Sequence, residues 1–300
     1  MDLRPISRRR ALALGLAAPL LASCNPIGRG GGGDGSIRTD GTVEAATLAL
    51  LRDAPTCYPS RQLAQGPYWF DVDRLRSDIR ENRRGTTLRL ALRVRDGAGC
   101  GSRPLPGAVV DVWHCDAAGR YSGFDGPPQR VPPTPPPGWP NTRGAELPAA
   151  DPTADPMGYA SRTSNGSYTR GDAEGQPGDE GTYLRGAQVT DDAGIVRFTT
   201  IYPGWYTGRA PHVHAKVYLR RRTLLSTQLF LDDTITDRVY RTPPYRSRPA
   251  RDTRNAADAL YDPSTQLPLR RLGDAYLAAI NLGVDLLGVP PGAHGAADGR

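Results

Sequence analysis

The sequence predicts an all-β protein, an antiparallel β-sandwich core with long loops and a short N-terminal helix. Three observations lead there. Apolar and polar residues alternate with period two over several short stretches, the pattern of strands with one buried face. Gly (35) and Pro (29) recur along all 300 residues and break up any long helical bundle. The hydrophobic fraction of 38% is enough for one sizeable core, and a single apolar run, at the N-terminus, rules out a multi-span membrane protein.

In chain order, Thr42 to Asp53 is largely apolar and helix-compatible, a lead-in helix. Thr87 to Val94 alternates strictly and reads as a strand. Gly107 to Trp113 is a second strand, entered through Pro104-Leu105-Pro106. Gly194 to Ile201 is a third, and Val213–Leu219 with Leu224–Leu231 form a hairpin around Arg220-Arg221-Arg222. Tyr276, Ala278, Ile280, Leu282 and Val284 alternate in a final strand. Between residues 123 and 182 lies an insertion rich in Pro, Gly, Asp and Ser, long enough to serve as a lid or wall over a site.

The first 24 residues carry an address. Ser7-Arg8-Arg9-Arg10-Ala11-Leu12 holds a twin-arginine pair, and the apolar stretch from Ala11 to Leu21 is too short for a mature span. Leu21-Ala22-Ser23-Cys24 resembles the lipobox of bacterial lipoproteins; an ordinary signal peptide cut near Ala22 is the alternative. The expected organisation is therefore a signal peptide over 1–23, a Gly-rich tether and lead-in over 24–56, a catalytic domain over 57–288 and a disordered tail over 289–300. Export by the twin-arginine route and anchoring at Cys24 imply a bacterial periplasmic or cell-surface protein that touches the membrane only through its lipid. An oxidising compartment makes a disulfide among Cys57, Cys100 and Cys115 plausible, with one cysteine left over. The net charge of +7 is scattered among arginines mixed with Asp, Lys216 being the only lysine, so nucleic acid is not an expected partner.

Chemistry concentrates in one run. His212-Val213-His214 puts two imidazoles on one face of a strand, a common metal arrangement. The preceding residues, Ile201 to Pro211, pack Tyr202, Trp205, Tyr206 and Arg209 into a Gly/Pro-rich loop that can present them at the rim of a sheet. His114 and Cys115, after Trp113, read as structural, and His294 lies in a Gly/Ala tail without an assigned role.

Several segments together resemble the intradiol ring-cleavage dioxygenases, in particular an exported branch of them. They are Gln65-Gly66-Pro67-Tyr68, Gly107 through Tyr121, Tyr183 through Asp191, Phe198 through Tyr206 with His212-Val213-His214, and Thr227 through Asp233. These matches run in family order over about residues 57 to 285. The resemblance implies a mononuclear non-haem Fe(III) held by Tyr121, Tyr206, His212 and His214, with Tyr202 as the ligand if the register differs. It assigns charge stabilisation on the substrate to Arg209, an active-site role to Gln228, proton acceptance to Tyr206 and pocket walls to Tyr68 and Trp205. The implied partners are a catechol-type substrate and O2, and the implied product is a cis,cis-muconate type dicarboxylate cut between the two hydroxyls. Phenolate suits ferric iron, because a bound cation pulls the tyrosine pKa far below its ordinary value of about 10. Two departures stand out: Gln65 where the family often has Glu, and Ala210-Pro211 where many members have proline directly after the arginine.

Two other functions fit parts of the sequence. One is a lipid-anchored β-sandwich binding module without turnover; the other is a copper or zinc site on the same scaffold. The ring substituents of the substrate and the oligomeric state, a homo-oligomer included, are left open by the sequence.

Overall fold

A computed structural model describes residues 35–54, 60–97, 102–124 and 162–286. The signal segment, the glycine tether, Cys57, Cys100, most of the insertion and the C-terminal tail lie outside the described residues. Helix α1 (Gly35–Asp53) precedes strands β1 (Thr87–Asp96), β2 (Arg103–Pro104) and β3 (Val109–Trp113). Next come β4 (Arg162–Thr163), β5 (Ala173–Glu174), β6 (Arg185–Val189), β7 (Ile195–Ile201), β8 (His212–Leu219) and β9 (Arg222–Phe230). Helix α2 (Asp233–Val239), β10 (Leu269–Leu272) and β11 (Ala275–Val284) complete the order.

Two sheets face each other. One runs β6-β3-β8-β9; the other runs β10-β11-β1, with β2 and β7 sharing the second edge of β1. Alternation along the strands fills the space between them: Leu88, Leu90, Leu92 and Val94 from β1 meet Val110 and Val112 from β3 and Val213, Ala215 and Val217 from β8. All the expected strands form. The β8–β9 hairpin turns on Arg220 and Arg221, both with positive φ (51° and 63°), which matches the right-handed twist of the flanking strands.

The structure corrects the expectation in three places. The sandwich is not wholly antiparallel, because β11 runs parallel to β1 from Leu88↔Tyr276 to Asp96↔Val284. Parallel pairing needs a long crossover, and much of the chain lies between the two strands. Strand β6 was not anticipated, since Arg185, Gly186 and Ala187 are buried in succession and leave no alternation to read. Finally, the folded unit begins well before residue 57: α1 lies against β11, with Leu51 packed among Ala91, Ile195 and Ala279. Cys115 is free and buried, which makes it the unpaired cysteine among those described.

Asn281 fastens α1 to the sheet, its amide donating to the carbonyls of Leu51 (2.8 Å) and Ala54 (3.2 Å) at the helix end. An Asn281→Ala variant strands both carbonyls and is expected to lose about 1–3 kcal/mol of stability. Urea unfolding checks this: a lower midpoint with an unchanged slope is the expected result, and an unchanged midpoint contradicts it.

Candidate active site

The site lies on the face of the β6-β3-β8-β9 sheet that points away from the main core. Val213, Ala215 and Val217 of β8 turn inward, so His212 and His214 share the outer face. Register places Trp113 of β3 on one side of His214 and Gln228 of β9 on the other, while Phe230 lies opposite His212. The indole of Trp113 stacks on the His214 ring at 4.7 Å and 9°.

Two loops bring in the phenols. Tyr121 follows β3 on a turn in which the Asp116 carboxylate accepts from the amides of Ala118 (2.8 Å) and Arg120 (3.0 Å). Tyr206 follows β7. The two loops meet backbone to backbone at a pair of glycines. A Cβ on Gly119 (φ +82°) would collide with the Trp205 carbonyl, and one on Gly204 with the carbonyls of Asp116 and Ala117. Arg248 clamps the junction by donating to the carbonyls of Ala117 (3.2 Å) and Trp205 (2.8 Å). This close approach is why each phenol follows a glycine in the sequence.

Four donor atoms then converge. Tyr121 Oη is 3.1 Å from His214 Nε2 and 3.4 Å from His212 Nε2, Tyr206 Oη is 3.4 Å from His212 Nε2, and the two Nε2 atoms are 3.1 Å apart. All four side chains are buried. Tyr68 seals the cluster, stacked on Tyr121 at 4.5 Å and edge-on to Tyr206 at 6.4 Å. His212 Nδ1 donates to the Ala210 carbonyl at 2.6 Å, which leaves Nε2 as a lone pair aimed into the cluster. His214 Nδ1 is buried with no partner among the described residues, and Gly66 lies against the same ring, where a Cβ would sit 3.6 Å from His214 Cε1.

Burial keeps every one of these groups neutral. It pushes His212 down to about 3, with Arg209 adding to the effect, and holds His214 well below its ordinary value. Burial likewise raises Tyr206 to about 12 and holds Tyr121 well above its ordinary value. Neutral imidazoles are the ligand form, and phenolates would need a cation to pay for their charge. The donor spacings of 3.1–3.4 Å are the edges of a coordination polyhedron with bonds of about 2 Å. Two hard oxygen donors with two imidazoles fit ferric iron, whose charge two phenolates would reduce to a single positive unit. No group of three or more His, Cys, Asp or Glu able to hold a metal occurs among the described residues; half of this donor set is tyrosine.

The remaining expected residues divide. Arg209 is buried beside the cluster, its Nη2 donating to Gln228 Oε1 at 2.5 Å, and Gln228 donates in turn to the Ala64 carbonyl at 2.7 Å. Trp205, next to Tyr206, lies under Arg248, whose guanidinium is 4.5 Å from its ring centre. Tyr202 is in the main core with its hydroxyl on Thr236 Oγ1 at 2.7 Å, so Tyr206 is the tyrosine of this loop that reaches the histidines. His114 satisfies both ring nitrogens, on the Cys115 carbonyl (2.8 Å) and Thr200 Oγ1 (2.7 Å). Sequence reasoning missed Asp258, whose buried carboxylate accepts from Arg209 Nε (2.9 Å) and from the Ala210 amide (2.8 Å). It comes from a turn after α2, and no spacing links it to Arg209. Burial works against its charge, yet Arg209 holds its pKa below the ordinary carboxylate value.

A β-sandwich carrying a buried pair of imidazoles and a pair of phenols on one sheet face is the class that fold and site define. Among solved structures it is similar to an intradiol ring-cleavage dioxygenase from Tetranychus urticae, 26% identical with a TM-score of 0.58 over 77% of this chain and 96% of that one. Curated relatives match locally: catechol 1,2-dioxygenase of Pseudomonas sp. (strain EST1001), 51% identical over 41 residues, and chlorocatechol 1,2-dioxygenase of Pseudomonas sp. (strain P51), 32% identical over 98 residues. Those matches cover 14% and 27% of this chain and span 13% and 37% of the two proteins' lengths. No model of a known protein family matches the chain. In fold, and in these short stretches of sequence, the chain is similar to intradiol ring-cleavage dioxygenases.

The buried histidines make stability depend on acid. His114 (held down to about 4 by burial), His212 and His214 stay neutral in the fold, whereas the unfolded chain protonates them below about 6.5. Stability is therefore present above that pH and is lost as pH falls, by about 2 kcal/mol per histidine at pH 5. Asp111, raised to about 7 by burial, takes up a proton over the same range and returns about 2 kcal/mol. The metal-free protein is expected to lose about 3 kcal/mol between pH 7 and pH 5. Denaturant titrations at the two pH values check it, and a flat or rising profile contradicts it.

Proposed function

We propose that the protein is a non-haem Fe(III) intradiol dioxygenase that opens a catechol-type ring between its two hydroxyls. The observation that carries this reading is the convergence of Tyr121, Tyr206, His212 and His214 on one point inside a sealed aromatic cluster. Those four residues would hold the iron. Bound there, ferric iron would supply the Lewis acidity that activates a catechol ring toward O2.

The chain's own residues do the rest. Tyr206 is the phenol that would take a catechol proton at Oη. Arg209 supplies a fixed positive charge in a water-poor site, where it stabilises charge developing on the substrate far more than it would in solution. Gln228 holds that guanidinium from the strand beside His214. Tyr68, stacked on Tyr121, forms one wall of the substrate space and keeps water out. From its first 24 residues we further infer that the enzyme is exported by the twin-arginine route and anchored through Cys24.

Oxygen uptake tests the reading. Iron-loaded protein given catechol in a closed cell is expected to consume O2 mole for mole and to place both labelled atoms of 18O2 in a dicarboxylate product. An Arg209→Gln variant is expected to lose about a hundredfold in kcat. Catechol bound without oxygen uptake supports the binding module instead.

A further inference from the structure

Asp258 stands where two parts of the site meet. Its Oδ2 accepts from Arg209 Nε at 2.9 Å and from the amide of the next residue, Ala210, at 2.8 Å. The far side of residue 210 is also used, since its carbonyl accepts from His212 Nδ1 at 2.6 Å. Asp258 is itself fixed: its other oxygen accepts from the Leu260 amide at 2.9 Å, its own amide bonds to the carbonyls of Arg254 and Asn255 at 3.1 Å, and its side chain is 0% exposed. One carboxylate oxygen thus ties the guanidinium to a residue that orients a histidine of the donor cluster. The tie depends on an N–H at residue 210. A proline there would have none to give, whereas here the proline comes one position later, at Pro211.

The geometry points to Asp258 as a positioning residue that sets Arg209 and the Ala210 backbone as one unit, and so fixes the guanidinium relative to His212. This rests on the dioxygenase reading for what the guanidinium does. Asp258 touches neither substrate nor metal; it acts through Arg209 and Ala210. A carboxylate is needed, because both oxygens accept, Oδ2 from Arg209 and Ala210 and Oδ1 from Leu260, while the charge offsets a buried guanidinium. An asparagine keeps the shape but has no charge and one acceptor oxygen.

A double-mutant cycle tests it, with wild type, Asp258→Asn, Arg209→Gln and the double variant all loaded with iron. Iron content, the tyrosinate-to-iron absorption, anaerobic catechol binding, kcat and KM are read for each. Asp258→Asn is expected to keep its iron and its colour while catechol binding and KM weaken about tenfold. On the Arg209→Gln background the same substitution is expected to change binding and KM by less than about twofold, because the guanidinium it positions has gone. Losses that multiply across the cycle overturn the proposal, and so does an Asp258→Asn protein indistinguishable from wild type. Should Asp258→Asn not fold, the double variant has no unpaired charge at this pair and is compared with Arg209→Gln alone: parity supports the proposal, and a further large loss of catechol binding overturns it. A wild-type protein without iron colour overturns the dioxygenase reading itself. The tie is then read from the four melting temperatures, where coupling between residues 209 and 258 supports it and additive shifts overturn it.

Discussion

Four neutral donors, two imidazoles and two phenols, are held within hydrogen-bond distance of one another where water does not reach, and the rest of the structure follows from that arrangement. Packing alone would not favour it. The Nε2 atoms of His212 and His214 face each other at 3.1 Å while His214 Nδ1 has no partner among the described residues, so hydrogen bonds with the phenols satisfy the two imidazoles only in part. A cation at the centre would resolve the conflict by taking up the imidazole lone pairs and binding the phenols as phenolates. The scaffold makes the convergence rigid: β8 fixes both imidazoles by alternation, and the contact of Gly119 and Gly204 with the neighbouring loop fixes both phenols relative to each other.

That arrangement has to be sealed, on a sheet face that an ordinary sandwich would leave in water. Aromatic rings close it around the donors. Farther along the same face a buried ion pair closes it again: Lys216 Nζ lies 2.5 Å from Asp172 of the segment joining β4 and β5, and 3.9 Å above the Trp69 ring. Trp69 in turn donates to Asp111 of β3 at 2.9 Å. A buried pair of this kind adds little stability over apolar packing, but breaking it costs a great deal, so it holds the covering segment in one place. Polar chemistry is thus concentrated on one face of one sheet, while the other face carries the apolar core.

Most of the architecture was legible because period-two alternation survives wherever a strand has one face in the core, as in β1, β7 and β8. The pair His212 and His214 was legible for the same reason. The phenols were not readable from periodicity; the glycine before each, inside motifs that resemble a known family, singled out Tyr121 and Tyr206. What escaped were features set by distant parts of the chain. Strand β6 is buried on both faces, the parallel pairing of β11 depends on a crossover, and Asp258 meets Arg209 across many residues of sequence with no motif to join them.

The most direct measurement is a visible absorption spectrum with metal analysis of the signal-free protein, recorded without oxygen before and after catechol is added. The account predicts one iron per chain and a broad tyrosinate-to-iron band that moves when catechol binds, as a phenol of the donor set gives way. A colourless protein that stays metal-free after reconstitution with iron would contradict it.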